Sequence, residues 1–240
     1  MEATGAPRRV TAATYNIHAW VGTDGRWNPS RVLEVMHTLD VEILALQEVD
    51  FLWSAEATAE DVLCRELDCR ILPGPTMVRG ASRYGNMLLT RLPVLSYDQR
   101  DLAVDGREPR CCIDTLLDAG GTKLRVLATH LGLKRNERLC QVQMLLAALD
   151  EDEDHPAILL GDFNFWMPFF GASARLKHRV KASPLMRTFP ANRPLLALDR
   201  IYLSGAMRFG RVNVLDTPAT RLASDHLPLR AEIVLPPQRA

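Results

Sequence analysis

The sequence lacks net charge of either sign. Its 240 residues carry 29 Lys+Arg against 29 Asp+Glu, which excludes binding to nucleic acid through overall charge alone, since that affinity scales with the phosphates neutralised. A local basic face is not excluded. It also lacks any apolar run of about 18 residues, the length a membrane-spanning helix requires. Cysteine is scarce and odd in number: Cys64, Cys69, Cys111, Cys112 and Cys140. No C-x-x-C occurs among them, which argues against a zinc site of paired thiolates and against a disulfide framework. Reduced thiols are therefore expected, and with them a cytoplasmic location. Arg8 and Arg9 have no apolar stretch behind them, so no secretory signal is expected.

There is no internal repeat, no low-complexity tract and no linker that would divide the chain. Hydrophobic residues at 47% and charged residues at 24% are ordinary globular usage and exclude a disordered chain. Residues 10–235 are expected to fold as one domain, with 1–9 a flexible N-terminal tail and 236–240 a C-terminal tail. Nothing marks an oligomer seam, so a monomer is expected.

Strand-like runs are 10–15, 43–46, 86–90, 111–117, 124–129, 157–160, 201–203, 212–214 and 229–235. A helix is predicted over 29–39, with Asn28 as N-cap, Pro29 in the first turn, and Val32, Leu33, Val35, Met36 and Leu39 as an apolar stripe. Residues 58–67 read as a second helix. Residues 134–149 read as a third, with Leu139, Val142, Leu145, Leu146 and Leu149 on one side. Helices are interspersed, yet several strands follow one another directly. That order points to a mixed α/β layered fold, not a doubly wound parallel sheet.

Five apolar runs end in compact polar groups: Tyr15-Asn16-Ile17-His18, Gln47-Glu48, Thr129-His130, Gly161-Asp162-Phe163-Asn164 and Ser224-Asp225-His226. A sixth group, Leu198-Asp199-Arg200-Ile201, sets an Asp just before a strand. Each alone has an ordinary explanation as a turn cap, a solvated acid or a core histidine. Together they form an inventory of hard oxygen donors plus imidazoles, set in loops at strand ends where sheet proteins assemble sites. Oxygen donors without thiolates suit Mg²⁺, or Mn²⁺, cations that also bind phosphate oxygens.

The motifs Tyr15-Asn16-Ile17, Gln47-Glu48, Gly161-Asp162-Phe163-Asn164 and Ser224-Asp225-His226, in that order, resemble the endonuclease/exonuclease/phosphatase superfamily of DNase I-like proteins, and in particular its small bacterial members. The resemblance spans about 10–235. It implies a four-layer α/β sandwich, two packed mixed sheets flanked by helices, and metal-dependent hydrolysis of phosphoesters. By the same resemblance Glu48, with Asn16 and Asp225, would hold the cation. His226 would be the general base, Asp199 its orienting partner, Asp162 and Asn164 would position water and a phosphate oxygen, and His130 would donate to a non-bridging oxygen.

Two features bear on the substrate. Trp20, Trp27, Trp53 and Trp166 all follow strand-end motifs, joined by Phe51, Phe165, Phe169 and Phe170. They either pack loops onto the sheets or form an aromatic rim suited to stacking bases or to a lipid–water interface. Residues 171–194 carry Arg175, Lys177, Arg179, Lys181, Arg187 and Arg193 with no Asp or Glu. Arg175, Lys177 and Arg179, with Trp166, are therefore candidate substrate-binding residues, an anion-attracting arm that Lys134, Arg135 and Arg138 would extend. The expected substrate is a phospholipid or small head-group phosphodiester, with peripheral contact to an anionic membrane. A nuclease acting on nucleic acid is the alternative. A binding module that keeps the fold without the chemistry would lack a base or a metal ligand, and none is missing.

Overall fold

The computed structural model describes residues 7–54, 56–167 and 170–236, which form two six-stranded mixed sheets packed face to face. Across the first sheet the order is β11 (Arg208–Val214), β12 (Leu229–Val234), β1 (Arg9–Asn16), β2 (Ile43–Asp50), β4 (Ser82–Thr90) and β3 (Arg70–Arg79). Across the second it is β5 (Val94–Asp101), β6 (Cys111–Asp118), β7 (Lys123–His130), β8 (Ala157–Asp162), β10 (Asp199–Leu203) and β9 (Lys181–Ala182). Each sheet has one parallel pair, β1–β2 and β7–β8, among otherwise antiparallel neighbours. These two pairs send four strand ends to the same end of the sandwich.

Alternation along the central strands explains the layers. Val10, Ala12, Ile43, Ala45 and Leu88 point inward and meet Val126, Ala128, Ile158, Leu160 and Ile201 of the other sheet. On the outer face of the first sheet, Tyr15, Leu44 and Leu46 lie beneath α1 (Pro29–Leu39), α2 (Ala59–Leu67) and α5 (Pro218–Ala223). On the second, Leu127, Leu159 and Tyr202 lie beneath α3 (Arg135–Asp150) and α4 (Ala172–Arg179). Strands buried on both faces read as unbroken apolar runs, which is why they are visible in the sequence. Truncating such a leucine to Ala costs about 2–5 kcal/mol.

α1 starts and stops at the predicted residues, with Asn28 accepting from the Arg31 amide. Three strands escape the sequence reading, β3, β5 and β9. All are sheet edges. β3 carries Pro73, Gly74 and Pro75, tolerated where one side of the ladder is free, β5 is mostly exposed and polar, and β9 is only two residues long, so none of them writes a strand-like apolar run. β1 already includes Arg9, and the Arg8 carbonyl accepts from Leu235 N, so the end of the predicted N-terminal tail is tied into the sheet. Residues 1–6 and 237–240 lie outside the described residues. No helix among the described residues is long and apolar enough to cross a membrane.

Candidate active site

The β7–β8 pairing places His130 beside Asp162, and the β8–β10 pairing places Asp162 beside Asp199. The close approach of β7 and β8 depends on Gly161. A Cβ there would stand 1.8 Å from the Thr129 carbonyl oxygen, and the residue has φ +151°. Glycine thus sets the distance between the two polar strand ends. From the facing sheet, Asn16 at the end of β1 donates its amide to Glu48 Oε1 at 3.0 Å and to Asp162 Oδ2 at 3.2 Å. That amide stitches the two sheets together across the centre of the site. Its oxygen accepts from the His18 backbone amide at 3.1 Å, so the nitrogen faces the carboxylates.

Glu48 reaches the centre through an irregularity. The β2–β4 register shifts between Leu46 and Val49, and Glu48 has φ +57°. A bulge re-aims a side chain that regular pleating would send elsewhere, and a left-handed non-glycine residue stores about 1–3 kcal/mol of strain, characteristic of functional positions. Tyr84 on β4 donates its hydroxyl to Glu48 Oε2 at 3.0 Å. Burial opposes ionisation of Glu48, yet the His130 ring, the Asn16 and Tyr84 hydrogen bonds and His226 hold its carboxyl down at about 2. Asn164 also sits at positive φ, +52°, and its backbone N–H donates to Asp162 Oδ1 at 2.9 Å, a turn that Asn tolerates better than most residues.

The two site histidines have opposite partners. His226 Nδ1 lies 2.8 Å from Asp199 Oδ2, and its Nε2 lies 3.7 Å from Asp162 Oδ2. Its backbone amide bonds Ser224 Oγ, which donates to the Asn16 carbonyl at 2.7 Å, and Phe189 packs against the ring. Burial disfavours the imidazolium, but the charge and hydrogen bond of Asp199, with Asp162 and Asp225, raise His226 to about 10. His130 stands 3.6 Å from Asp162 through Nε2 and meets Arg110 Nη1 through Nδ1 at 3.1 Å. Burial first and the guanidinium second lower it to about 3. Asp162 is shifted upward by burial and by the Asp199 charge, against the pull of His226.

His226, Asp199, Asp162, His130, Asn164, Glu48 and Asn16 therefore converge. Asp225 is half-buried beside them. Its carboxylate stands 3.4 Å from Ser224 Oγ, whose hydrogen goes to the Asn16 carbonyl, and its carbonyl accepts from Ala191 N at 2.6 Å, and no hydrogen bond among the described residues joins it to Glu48 or Asn16. The predicted basic arm is dispersed. Arg179 is not brought to the site: it pairs with Asp150 and Glu153, ahead of β8 at the opposite end of the sandwich. Lys181 donates to the Gly205 and Met207 carbonyls at that same end. Lys177 is half-buried and lies close enough to Arg200 to have its ammonium pKa lowered, burial being the larger cause. Arg175 is exposed on α4. Trp166 is 56% exposed, directly after Asn164. The aromatic rim divides in two. Trp20 is fully buried and edge-on to Trp53, and Phe51 and Phe165 are buried, whereas Trp27, Trp166 and Phe170 are exposed. Phe169 lies outside the described residues. Tyr84 and Arg110 were not foreseen, because nothing near them in sequence distinguishes them; only strand pairing brings them to Glu48 and His130.

A family model described as the endonuclease/exonuclease/phosphatase family matches residues 15–226, which takes in every one of these site residues. The chain belongs to that family. It is similar to the uncharacterised protein YbhP of Escherichia coli, with 29% identity over 92% of this chain and 95% of the relative. Among solved structures it resembles the human Nocturnin catalytic domain with bound sulfate (TM-score 0.78, 20% identity, 94% of this chain and 93% of that one). It also resembles a mannosyl-6-phosphatase of Bacteroides thetaiotaomicron (TM-score 0.78, 19% identity, 94% and 100%). The fold is the DNase I-like four-layer sandwich, and the family's members are hydrolases of phosphoester bonds.

Proposed function

We propose that the protein is a divalent-cation-dependent phosphodiesterase acting on a phospholipid or a small head-group phosphodiester at an anionic membrane surface. The observation that carries the substrate reading is an exposed apolar tip beside the catalytic groups. Trp166, Met167 and Phe170 follow Asn164, and Leu133 follows His130, with Leu133 63% and Phe170 71% exposed. The two loops adjoin: a Cβ on Gly171 would stand 3.9 Å from Arg135 Nε. Exposed Lys134, Arg135 and Arg175 flank the tip. Apolar side chains ringed by cations match an interface of acyl chains and anionic head groups. A nucleic-acid duplex would call for a continuous basic groove, and the cations of 171–194 are spread over both ends of the sandwich.

Glu48 and Asp225 would hold the cation, and Asn16 would join them only with its amide oxygen turned inward in place of its nitrogen. The donor chemistry fits: ionised Glu48 stands across Asn16 from Asp162, which adjoins Asp199, a concentration of carboxylate oxygens suited to Mg²⁺ or Mn²⁺. Asp162, Asp199 and His226 also cluster within 4.8 Å, but the Asp199–His226 bond commits two of them to each other. When bound, the cation would offset the carboxylate charge that keeps His226 protonated, neutralise phosphate charge and stabilise the leaving oxygen. His226 takes the proton of the attacking water while Asp199 fixes its tautomer. The water oxygen bonds to phosphorus as the bond to the leaving oxygen breaks, giving a phosphomonoester and an alkoxide that takes a proton from solvent to leave as an alcohol, and His226 then releases its proton to solvent. Asp162 and Asn164 orient the water and a phosphate oxygen, and His130 donates to a non-bridging oxygen as its charge grows. The free thiols agree with a cytoplasmic enzyme meeting the membrane from that side.

The test compares hydrolysis of anionic phospholipid vesicles and supercoiled plasmid by one preparation with Mg²⁺. Turnover on vesicles is expected, with a Trp166→Ser/Phe170→Ser double variant losing vesicle binding at least about tenfold. Plasmid nicking without lipid turnover would overturn the substrate reading in favour of a nuclease.

A further inference from the structure

Arg110 lies one residue before β6 and only 8% of its surface is exposed. Its Nη1 is 3.1 Å from His130 Nδ1 and also 3.1 Å from Glu108 Oε1. A guanidinium has five N–H donors and no acceptor. Nδ1 of His130 must therefore accept, and the ring hydrogen must sit on Nε2. Nε2 faces Asp162 Oδ2 at 3.6 Å, longer than a hydrogen bond, and Asn164 Nδ2 at 3.2 Å. Asn164 gives one amide hydrogen to the Leu131 carbonyl at 2.9 Å, which fixes its orientation and leaves its nitrogen beside the ring Nε2. Between Arg110 and Asn164 only one can donate to this imidazole. Asn164 has another acceptor in Leu131, whereas Arg110 can meet the ring only as a donor.

We propose that Arg110 is a positioning residue that locks His130 as the neutral Nε2–H tautomer, so that His130 and Asn164 present two adjacent N–H donors to one phosphoryl oxygen. This rests on the reading of the site as a phosphoester hydrolase. The arrangement divides labour between the histidines by their partners. The carboxylate of Asp199 equips His226 to accept and hold a proton, and the guanidinium of Arg110 prevents His130 from doing so. Glu108 keeps Arg110 in place from the solvent side, its own side chain 39% exposed. Losing such an orienting partner costs about tenfold to a hundredfold in activity.

The test is long-range ¹H–¹⁵N NMR of histidine-labelled protein at neutral pH, with His130→Gln identifying the signal among six histidines. The expected spectrum has His130 Nδ1 unprotonated and Nε2 protonated. Nδ1–H, or a ring protonated on both nitrogens, overturns the proposal, and this reading on wild type needs neither a foldable variant nor turnover. Arg110→Met should mix the tautomers and lower kcat about tenfold or more with KM little changed, with Arg110→Lys restoring part of kcat. An unchanged tautomer and kcat in Arg110→Met also overturns it. Should no phosphodiester be hydrolysed, the functional reading fails while the spectrum still reports the tautomer.

Discussion

At the scale of single residues, the site is a set of side chains whose charge states are set by named neighbours. Asp199 supports His226 through one 2.8 Å bond, so Asp199→Asn should leave the fold intact and lower kcat by about 10²–10⁴-fold, the range general-base support supplies. Steady-state kinetics beside a thermal melt checks this. His130 gives a stability prediction with a definite sign. Its pKa falls from the ordinary 6.5 to about 3 on folding, so the unfolded chain binds a proton that the native ring refuses. Its contribution is present above about 6.5 and is lost as pH falls toward 3. The gap in Tm between wild type and His130→Gln should therefore move in favour of the variant on acidification from pH 7 to 4. A constant gap would mean His130 takes up its proton in the folded state. These settings were only partly legible in the sequence. His226, Asp199 and Glu48 stand in motifs, while Tyr84 and Arg110 are ordinary residues until the β-ladders deliver them.

At the scale of elements, the decisive features are departures from regularity. The β2 bulge at Glu48, the glycine approach at 161 and the left-handed Asn164 each re-aim a polar side chain at the end of an otherwise ordinary strand. The strands themselves were legible because burial on both faces writes long apolar runs. β3, β5 and β9 were not, since an edge strand needs neither alternation nor a donor at every position. α4 shows the limit of reading charge along a sequence: its cations share a segment but not a direction. Arg179 belongs to an exposed ion-pair set with Asp150 and Glu153, and such pairs contribute about 0–1 kcal/mol. Arg179→Glu should shift the Tm slightly and leave kcat and KM within about twofold. Arg175→Glu, by contrast, should weaken binding to anionic vesicles and flatten its salt dependence. Sedimentation of both variants with vesicles at two salt concentrations separates these outcomes.

At the scale of the whole molecule, two parallel strand pairs, one in each sheet, deliver their C-terminal ends to a single edge of the sandwich. The Asn16 amide joins them across the gap to Glu48 and Asp162. The four-layer architecture was legible through the order of the motifs more than through any one element, because the sequence reading left out three of the four edge strands. What remained illegible is which aromatics pack and which face solvent: Trp20 and Trp166 follow equally polar motifs, yet one is fully buried and the other 56% exposed. The central claim is that a single His-activated water, with a divalent cation, hydrolyses the phosphoester. The most direct measurement is turnover of one phosphodiester substrate by wild type and His226→Ala, each with Mg²⁺ and with chelator. The account predicts that only wild type with Mg²⁺ turns over, with the folded variant reduced by at least about 10³-fold. Activity of His226→Ala within about tenfold of wild type, or undiminished wild-type activity in chelator, would contradict it.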